Sequence, residues 1–271
     1  MAKNFAVREY EVETKKIEGA FSIALVSDVH GKVYGEDNEP VAQALAAMDP
    51  DFILLPGDLV SAEREETDEP AVRLVERLAK VAPLFISPGN HERALRYKKL
   101  KYGNGRYDAL RKAFAEAGAR FLSNSSTFAD NGEESARLTG LDLPLWKYTK
   151  FKRPELSAEE LHERLGKSDG RHFQILLAHN PAFIDQYFEW GADLVVSGHY
   201  HGGLVRGAVT GRSLMDPYGF ALPKYGYGLY ENDGAYAVVT SGIGDHSLPV
   251  RVFNPHEAVH IKVRGRGYGG N

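Results

Sequence analysis

An α/β fold is predicted by three features of this 271-residue chain. Short apolar runs alternate with segments of helical periodicity. The runs close on Gly, Asp, Asn or His, and they are apolar at successive positions, as strands covered on both faces are. With 43% hydrophobic residues and 28 glycines the chain has the composition of a folded protein, which sets aside disordered and collagen-like readings.

The first strand is predicted over Phe21 to Val29 (FSIALVSDV), and Glu39 to Met48 follows as a helix. Further strands are expected at Phe52 to Leu59, Pro83 to Asn90, Phe173 to Asn180 and Asp193 to Gly198, each apolar for four to six residues and then polar. Helices are expected at Glu69 to Val81 and at Arg106 to Gly118, where Leu110, Phe114 and Ala117 recur at 3–4 spacing and Gly118 stops the run. Ser157 followed by Glu160 has the form of a capping box opening a helix to Leu165.

Beyond residue 200, Gly, Pro and Tyr become dense, and strand signals at Tyr236 to Ser241, Val250 to Phe253 and Ala258 to Val263 occur without helices between them. A second, mostly antiparallel sheet is expected there. Because polar strand ends come from both halves, residues 1–271 are predicted to form one domain, with a core of about 20–263 and a frayed tail, RGRGYGGN, at 264–271.

The charge balance, 33 Lys+Arg against 37 Asp+Glu, leaves a net −4 and provides no strong nucleic-acid signal. Zero cysteines exclude disulfides, thiolate catalysis and Cys-type zinc, so any metal must use nitrogen and oxygen donors. The charged N-terminus lacks the apolar stretch of a signal peptide, and no run approaches the ~20 apolar residues of a transmembrane segment. A cytoplasmic protein without a transmembrane segment is the expectation.

Five short segments sit at predicted strand ends: Asp28-Val29-His30, Gly57-Asp58, Gly89-Asn90-His91-Glu92, Ala178-His179-Asn180 and Gly198-His199-Tyr200-His201. In α/β sheets these ends form the ligand crevice. Asp28/His30 and His199/His201 are i, i+2 pairs, which on an extended backbone put both side chains on one side. Each fragment alone has a bland explanation, a turn, a cap or a core histidine. Their joint occurrence at successive strand ends does not.

The donor set is two carboxylates (Asp28, Asp58), four imidazoles (His30, His179, His199, His201) and one amide (Asn90). Seven donors exceed one tetrahedral zinc and fit two divalent ions about 3.5–4 Å apart if a carboxylate bridges them, a role given to Asp58. Mn, Fe or Zn suits these donors better than Ca or Mg. Two divalent ions, two carboxylates and one hydroxide leave a positive site, which favours an anionic substrate.

The order D-x-H, GD, GNHE, H, GHxH resembles the calcineurin-like metallophosphoesterase superfamily. The resemblance implies a four-layer αββα sandwich of two mixed sheets flanked by helices. It implies that Asp28, His30, Asp58 and His201 hold one metal and that Asp58, Asn90, His179 and His199 hold the other. His91 would then be a non-ligand that assists the leaving group. Gly198 to Gly203, Gly228-Leu229-Tyr230, Ser241 to Gly244, Pro249-Val250-Arg251 and the strand at Glu257 further resemble the bacterial phosphohydrolase subgroup of YkuE- and YaeI-like proteins.

The function expected is phosphoester cleavage by a metal-bridging hydroxide, with a phosphorylated small molecule or lipid-linked substrate. A nuclease or other phosphodiesterase, a pyrophosphatase on a lipid-linked sugar nucleotide, and a non-catalytic scaffold are the alternatives. No G-x-S-x-G elbow supports a serine hydrolase. Glu92 is expected either to orient His91 or to serve as a helix N-terminal acid. The basic stretch of Arg93, Arg96, Lys98, Lys99, Lys101 and Arg106 would steer phosphorylated substrates or form a solvated face. Glu63 to Glu69 is expected to be a solvated loop. Tyr218, Phe220, Tyr225, Tyr227 and Tyr230 would wall a pocket or cover the second sheet.

Overall fold

A computed structural model describes all residues except 1–4, 98–104, 150–151, 153–154, 204–205, 207–212, 220–221, 246–250 and 268–271. The first sheet has the order β1-β12-β2-β3-β4-β5: β1 (Ala6–Thr14), β2 (Ala20–Leu25), β3 (Phe52–Pro56), β4 (Leu84–Ser87), β5 (Ala119–Phe121) and β12 (Glu257–Gly265). β2 to β5 run parallel, and β12 enters antiparallel to β2 and parallel to β1. The second sheet has the order β10-β11-β9-β8-β7-β6: β6 (Ser125–Asp130), β7 (Ser135–Leu141), β8 (Phe173–Ala178), β9 (Leu194–Ser197), β10 (Gly228–Asn232) and β11 (Ala235–Val239). Both sheets are mixed, as expected.

Period-two alternation assigns each strand residue to a layer. Ile23 and Leu25 of β2 meet Ile175 and Leu177 of β8 in a core between the sheets. Their neighbours Ala24 and Val26 face outward under the helices α1 (Glu39–Ala46), α2 (Asp68–Leu78) and α4 (Arg106–Glu116), whose Leu45, Leu74, Leu78 and Phe114 are buried there. On the other side Leu176 and Ala178 lie under α5 (Ala158–Leu165) and α6 (Ile184–Trp190). Helices, sheet, sheet, helices is therefore the layer order. Ser157 caps α5 as expected, its Oγ accepting from the Glu160 amide at 3.2 Å.

Three expectations are corrected. The strands beyond residue 200 form no separate antiparallel sheet: β11 adds parallel to β9, only the β10–β11 hairpin is antiparallel, and β12 crosses back to the first sheet. Over its described residues Val250 to Phe253 is no strand either, with a single bridge at Val252 and Phe253 at φ 53. The core also extends beyond 20–263. β1 pairs with β12 along its length, and Arg264 and Gly265, assigned to the tail, pair with Glu13 and Thr14. β1 was illegible because it is a charged edge strand with little buried surface. No helix among the described residues is long and apolar enough to cross a membrane.

Candidate metal centre

All seven expected donors lie just past the C-terminal ends of central strands. Asp28 and His30 follow β2, Asp58 follows β3, and Asn90 follows β4 as the first residue of α3 (Asn90–Ala94). From the second sheet, His179 follows β8, and His199 and His201 follow β9. The structure brings these loops together. His30 Nε2 is 3.2 Å from His201 Nε2, which is 3.5 Å from Asp28 Oδ1. His179 Nε2 is 3.0 Å from Asp58 Oδ2 and 3.9 Å from Asp28 Oδ1.

Three groups of His and Asp have ligand atoms within 4.8 Å of one another: Asp28/His30/His201, Asp58/His179/His199 and His30/Asp58/His91. Asn90 faces the same cavity, of about 490 Å3, which His30, Asp58, His91, His199 and His201 also line. Asp28 and His179 do not line it; they are buried, 0% and 1% exposed, against the residues that do.

The backbone at these positions is strained. Asp28 (φ 52), His30 (φ 48), Asp58 (φ 55), His199 (φ 63) and His201 (φ 47) all occupy the left-handed region, where a non-glycine residue costs about 1–3 kcal/mol and clusters at functional sites. Neighbouring loops hold them there. Asp28, His30 and Gly31 amides donate to the carbonyls of Gly57, Asp58 and Leu59 at 3.1, 3.0 and 2.9 Å, so pairing between these loops continues past the strands. Two glycines give the carboxylates room: a Cβ on Gly198 would sit 2.2 Å from Asp28 Oδ2, and one on Gly89 would sit 2.2 Å from Asp58 Oδ1.

The electrostatics ask for positive charge at the centre. Burial pushes the Asp28 carboxyl up. Burial would do the same to Asp58, but the His179, His91 and His30 imidazoles hold it well below the usual carboxylate range. Burial works to lower His179, and the carboxylates of Asp58 and Asp28 overturn this and bring it to about 9. Asp28 Oδ2 and Asn90 Oδ1 are buried acceptors without a hydrogen-bond partner, an arrangement that costs about 1–3 kcal/mol per atom unless a cation lies against each. His179 donates from Nδ1 to the Pro56 carbonyl at 2.7 Å, which turns Nε2 and its lone pair inward. The residues present fit divalent cations.

His91 is held differently. Its Nδ1 accepts from the Ala62 amide at 3.0 Å, so the neutral ring carries its proton on Nε2. Glu92 makes no bond to that ring. Its carboxylate accepts four backbone N–H groups, from Asp58 (2.9 Å), Leu59 (2.7 Å), Val60 (3.2 Å) and Gly89 (2.9 Å), and thereby fixes the turn that carries Asp58.

The basic stretch divides. Arg93 and Arg96 both bond the buried Asp142 at 2.9 Å, Arg106 is buried, and Lys98, Lys99 and Lys101 lie outside the described residues. Glu63 to Glu69 is likewise more than a solvated loop: Thr67 is buried, Glu65–Thr67 forms a 3-10 turn, and Glu63 and Arg64 line the cavity. Among the tyrosines, Tyr218 is buried with its ring 6.0 Å from His199, and Tyr227 bonds Glu257 at 2.8 Å. Tyr225 and Tyr230 pack together at 5.0 Å in T-shaped contact beside the helix layer of the second sheet, and Phe220 lies outside the described residues. The sequence marked Arg251 only as part of a resemblance and gave it no role, yet it donates to His201 Nδ1 at 3.2 Å; Asn254, which the sequence left unmarked, donates to the His201 carbonyl at 2.6 Å.

Residues 21–203 match the family model described as calcineurin-like phosphoesterase. The chain belongs to this family. An uncharacterised metallophosphoesterase of Aquifex aeolicus is 29% identical, over 96% of this chain and 92% of its own. The metallophosphoesterase YkuE of Bacillus subtilis is 27% identical over 85% of this chain and 74% of its own. The phosphodiesterase YaeI of Escherichia coli is 27% identical over 72% and 64% respectively. Family membership and the cluster of metal-ligating side chains make this phosphoesterase a metal-dependent phosphoester hydrolase.

Proposed function

We propose that the chain is a dinuclear-metal phosphohydrolase in which Asp58 bridges two cations. One observation supports this above others: the Asp58 carboxylate takes part in two of the ligand groups, with Oδ2 3.0 Å from His179 Nε2 on one side and 4.0 Å from His30 Nε2 on the other. Asp28, His30, Asp58 and His201 would hold one ion, and Asp58, Asn90, His179 and His199 the other. The nitrogen and oxygen donors suit Mn, Fe or Zn. When bound, the ions supply an activated water and positive charge for the phosphoryl oxygens.

The chain's own side chains do the rest. Asp58 Oδ1 accepts the His91 amide at 2.9 Å and so ties the carboxylate to the turn that carries the imidazole. His91 presents Nε2–H to the cavity and, as a hydrogen-bond donor, stabilises the negative charge that develops on the leaving oxygen, a contribution of about 10²- to 10³-fold. Substrate enters over His30, Asn90 and His199, with Arg64 at the rim.

Asp58→Asn tests the bridge. Hydrolysis should be abolished and bound metal, measured by elemental analysis, should fall; retention of both refutes the assignment. A phosphomonoester is the favoured substrate, and the similarity to a phosphodiesterase of E. coli supports a diester as the second reading. Rates on p-nitrophenyl phosphate and on bis-p-nitrophenyl phosphate separate the two.

A further inference from the structure

Arg106 stands at the start of α4, 44 residues from Ala62, and only 8% of it is exposed. Its guanidinium donates to three carbonyls of one turn: Nη1 to Ala62 at 2.8 Å, Nη2 to Ser61 at 3.0 Å and to Arg64 at 3.0 Å. It also pairs with Asp68, the first residue of α2, through Nε to Oδ2 at 2.6 Å and Nη2 to Oδ1 at 2.5 Å. Thr67 closes the same segment, its Oγ1 accepting the Ser61 amide at 2.9 Å and donating to the Arg64 carbonyl at 2.6 Å.

The Ser61 carbonyl and the Ala62 N–H belong to one peptide group. In a planar trans peptide these two point in opposite directions. With the carbonyl held on the guanidinium, the N–H must face the other way, and it is this N–H that donates to His91 Nδ1 at 3.0 Å. If that peptide flipped, a carbonyl would face Nδ1. The ring would then take its proton there and turn a bare Nε2 to the substrate.

We propose that Arg106 is a positioning residue for His91: by fixing the Ser61–Ala62 peptide it keeps the imidazole proton on Nε2, where the leaving group meets it. This rests on the reading of His91 as hydrogen-bond donor to the leaving oxygen given above. Arginine is required because the contact needs a planar fork of donors reaching three carbonyls and a carboxylate at once, which the point charge of a lysine cannot do.

The test has a spectroscopic arm and a kinetic arm, on full-length protein loaded with zinc. Nitrogen-15 spectra of the His91 ring should show Nε2–H in the parent and a shift toward Nδ1–H in Arg106→Gln. In the same variant kcat for an alkyl phosphoester, a poor leaving group, should fall about 10- to 100-fold, while p-nitrophenyl phosphate loses less than about threefold on that scale and bound zinc and KM stay unchanged. His91→Gln is the reference. If it loses no more on the alkyl ester than on the aryl ester, His91 does not act on the leaving oxygen, and the Arg106 proposal falls with that reading. If His91→Gln is selective but Arg106→Gln leaves both tautomer and leaving-group ratio as in the parent, the Arg106 proposal alone is overturned. Should Arg106→Gln not fold, Arg106→Lys retains the pairing with Asp68 but not the fork. It should show the same selective loss in smaller degree, and a parental spectrum and ratio there overturn the proposal equally.

Discussion

The two halves of the candidate metal centre are built on different principles. The half from the first sheet, with Asp28, His30, Asp58 and Asn90, is organised from within. Its loops pair with one another through backbone hydrogen bonds, and two buried charges, Glu92 on four amides and Arg106 on three carbonyls, lock the turn after β3. The half from the second sheet leans on the first. His179 is aimed by the Pro56 carbonyl, and the His199 amide donates to Asp28 Oδ1 at 2.9 Å. The difference teaches that the first half draws its backbone order from its own loops, while the second takes part of its geometry from the first.

The largest effect that would break this comparison is expected from Glu92→Gln. An amide nitrogen placed among backbone N–H groups leaves donors unsatisfied, and removing the buried charge should destabilise the fold by on the order of 3 kcal/mol and release metal from both halves. Urea denaturation reads the first and elemental analysis the second. A loss below about 0.5 kcal/mol would mean that the turn after β3 holds itself. Gly198→Ala probes the contact between the halves. Its Cβ would fall 2.2 Å from Asp28 Oδ2, so metal affinity should drop about tenfold with a smaller change in melting temperature; a competition titration with a chelating dye measures it, and unchanged affinity would show that the halves are not pressed together there.

The smallest effect is expected far from the centre, before β8. The hydrogen bond from His172, with the amides of Arg171 and His172, pulls Asp169 down to about 2. A depressed carboxyl stabilises the fold above its unfolded value of about 3.9 and loses that contribution as pH falls toward 2. Asp169→Asn should therefore lower the melting temperature by at most about 2 °C at pH 7, with the gap closing between pH 4 and pH 2. A gap that persisted at pH 2, or widened, would show that the carboxylate charge is not what matters at this end of the sheet.

How much of this was legible varies residue by residue. Asp28, His30, Asp58, Asn90, His179, His199 and His201 announce themselves because each follows an apolar run, and a strand end is where such residues are rare without a ligand. Glu92 and Arg106 do not. An acid in a first helical turn and an arginine after a run of lysines have ordinary local explanations, and their partners lie 34 and 44 residues away. β1 was missed because its charges mask the alternation of an edge strand. The antiparallel sheet expected beyond residue 200 failed because strand signals carry no pairing partner: the Tyr236 and Ala258 segments look alike and join different sheets.

By itself, then, the order of residues settled the α/β class and the chemistry of the donors, since periodicity and side-chain type are local properties that survive in a linear chain. Only the folded structure decided which loops converge, which nitrogen of His91 faces the cavity, and that one glutamate and one arginine hold the turn between them. Those are relations among backbone groups, and every residue has the same N–H and C=O until the fold gives each of them a partner.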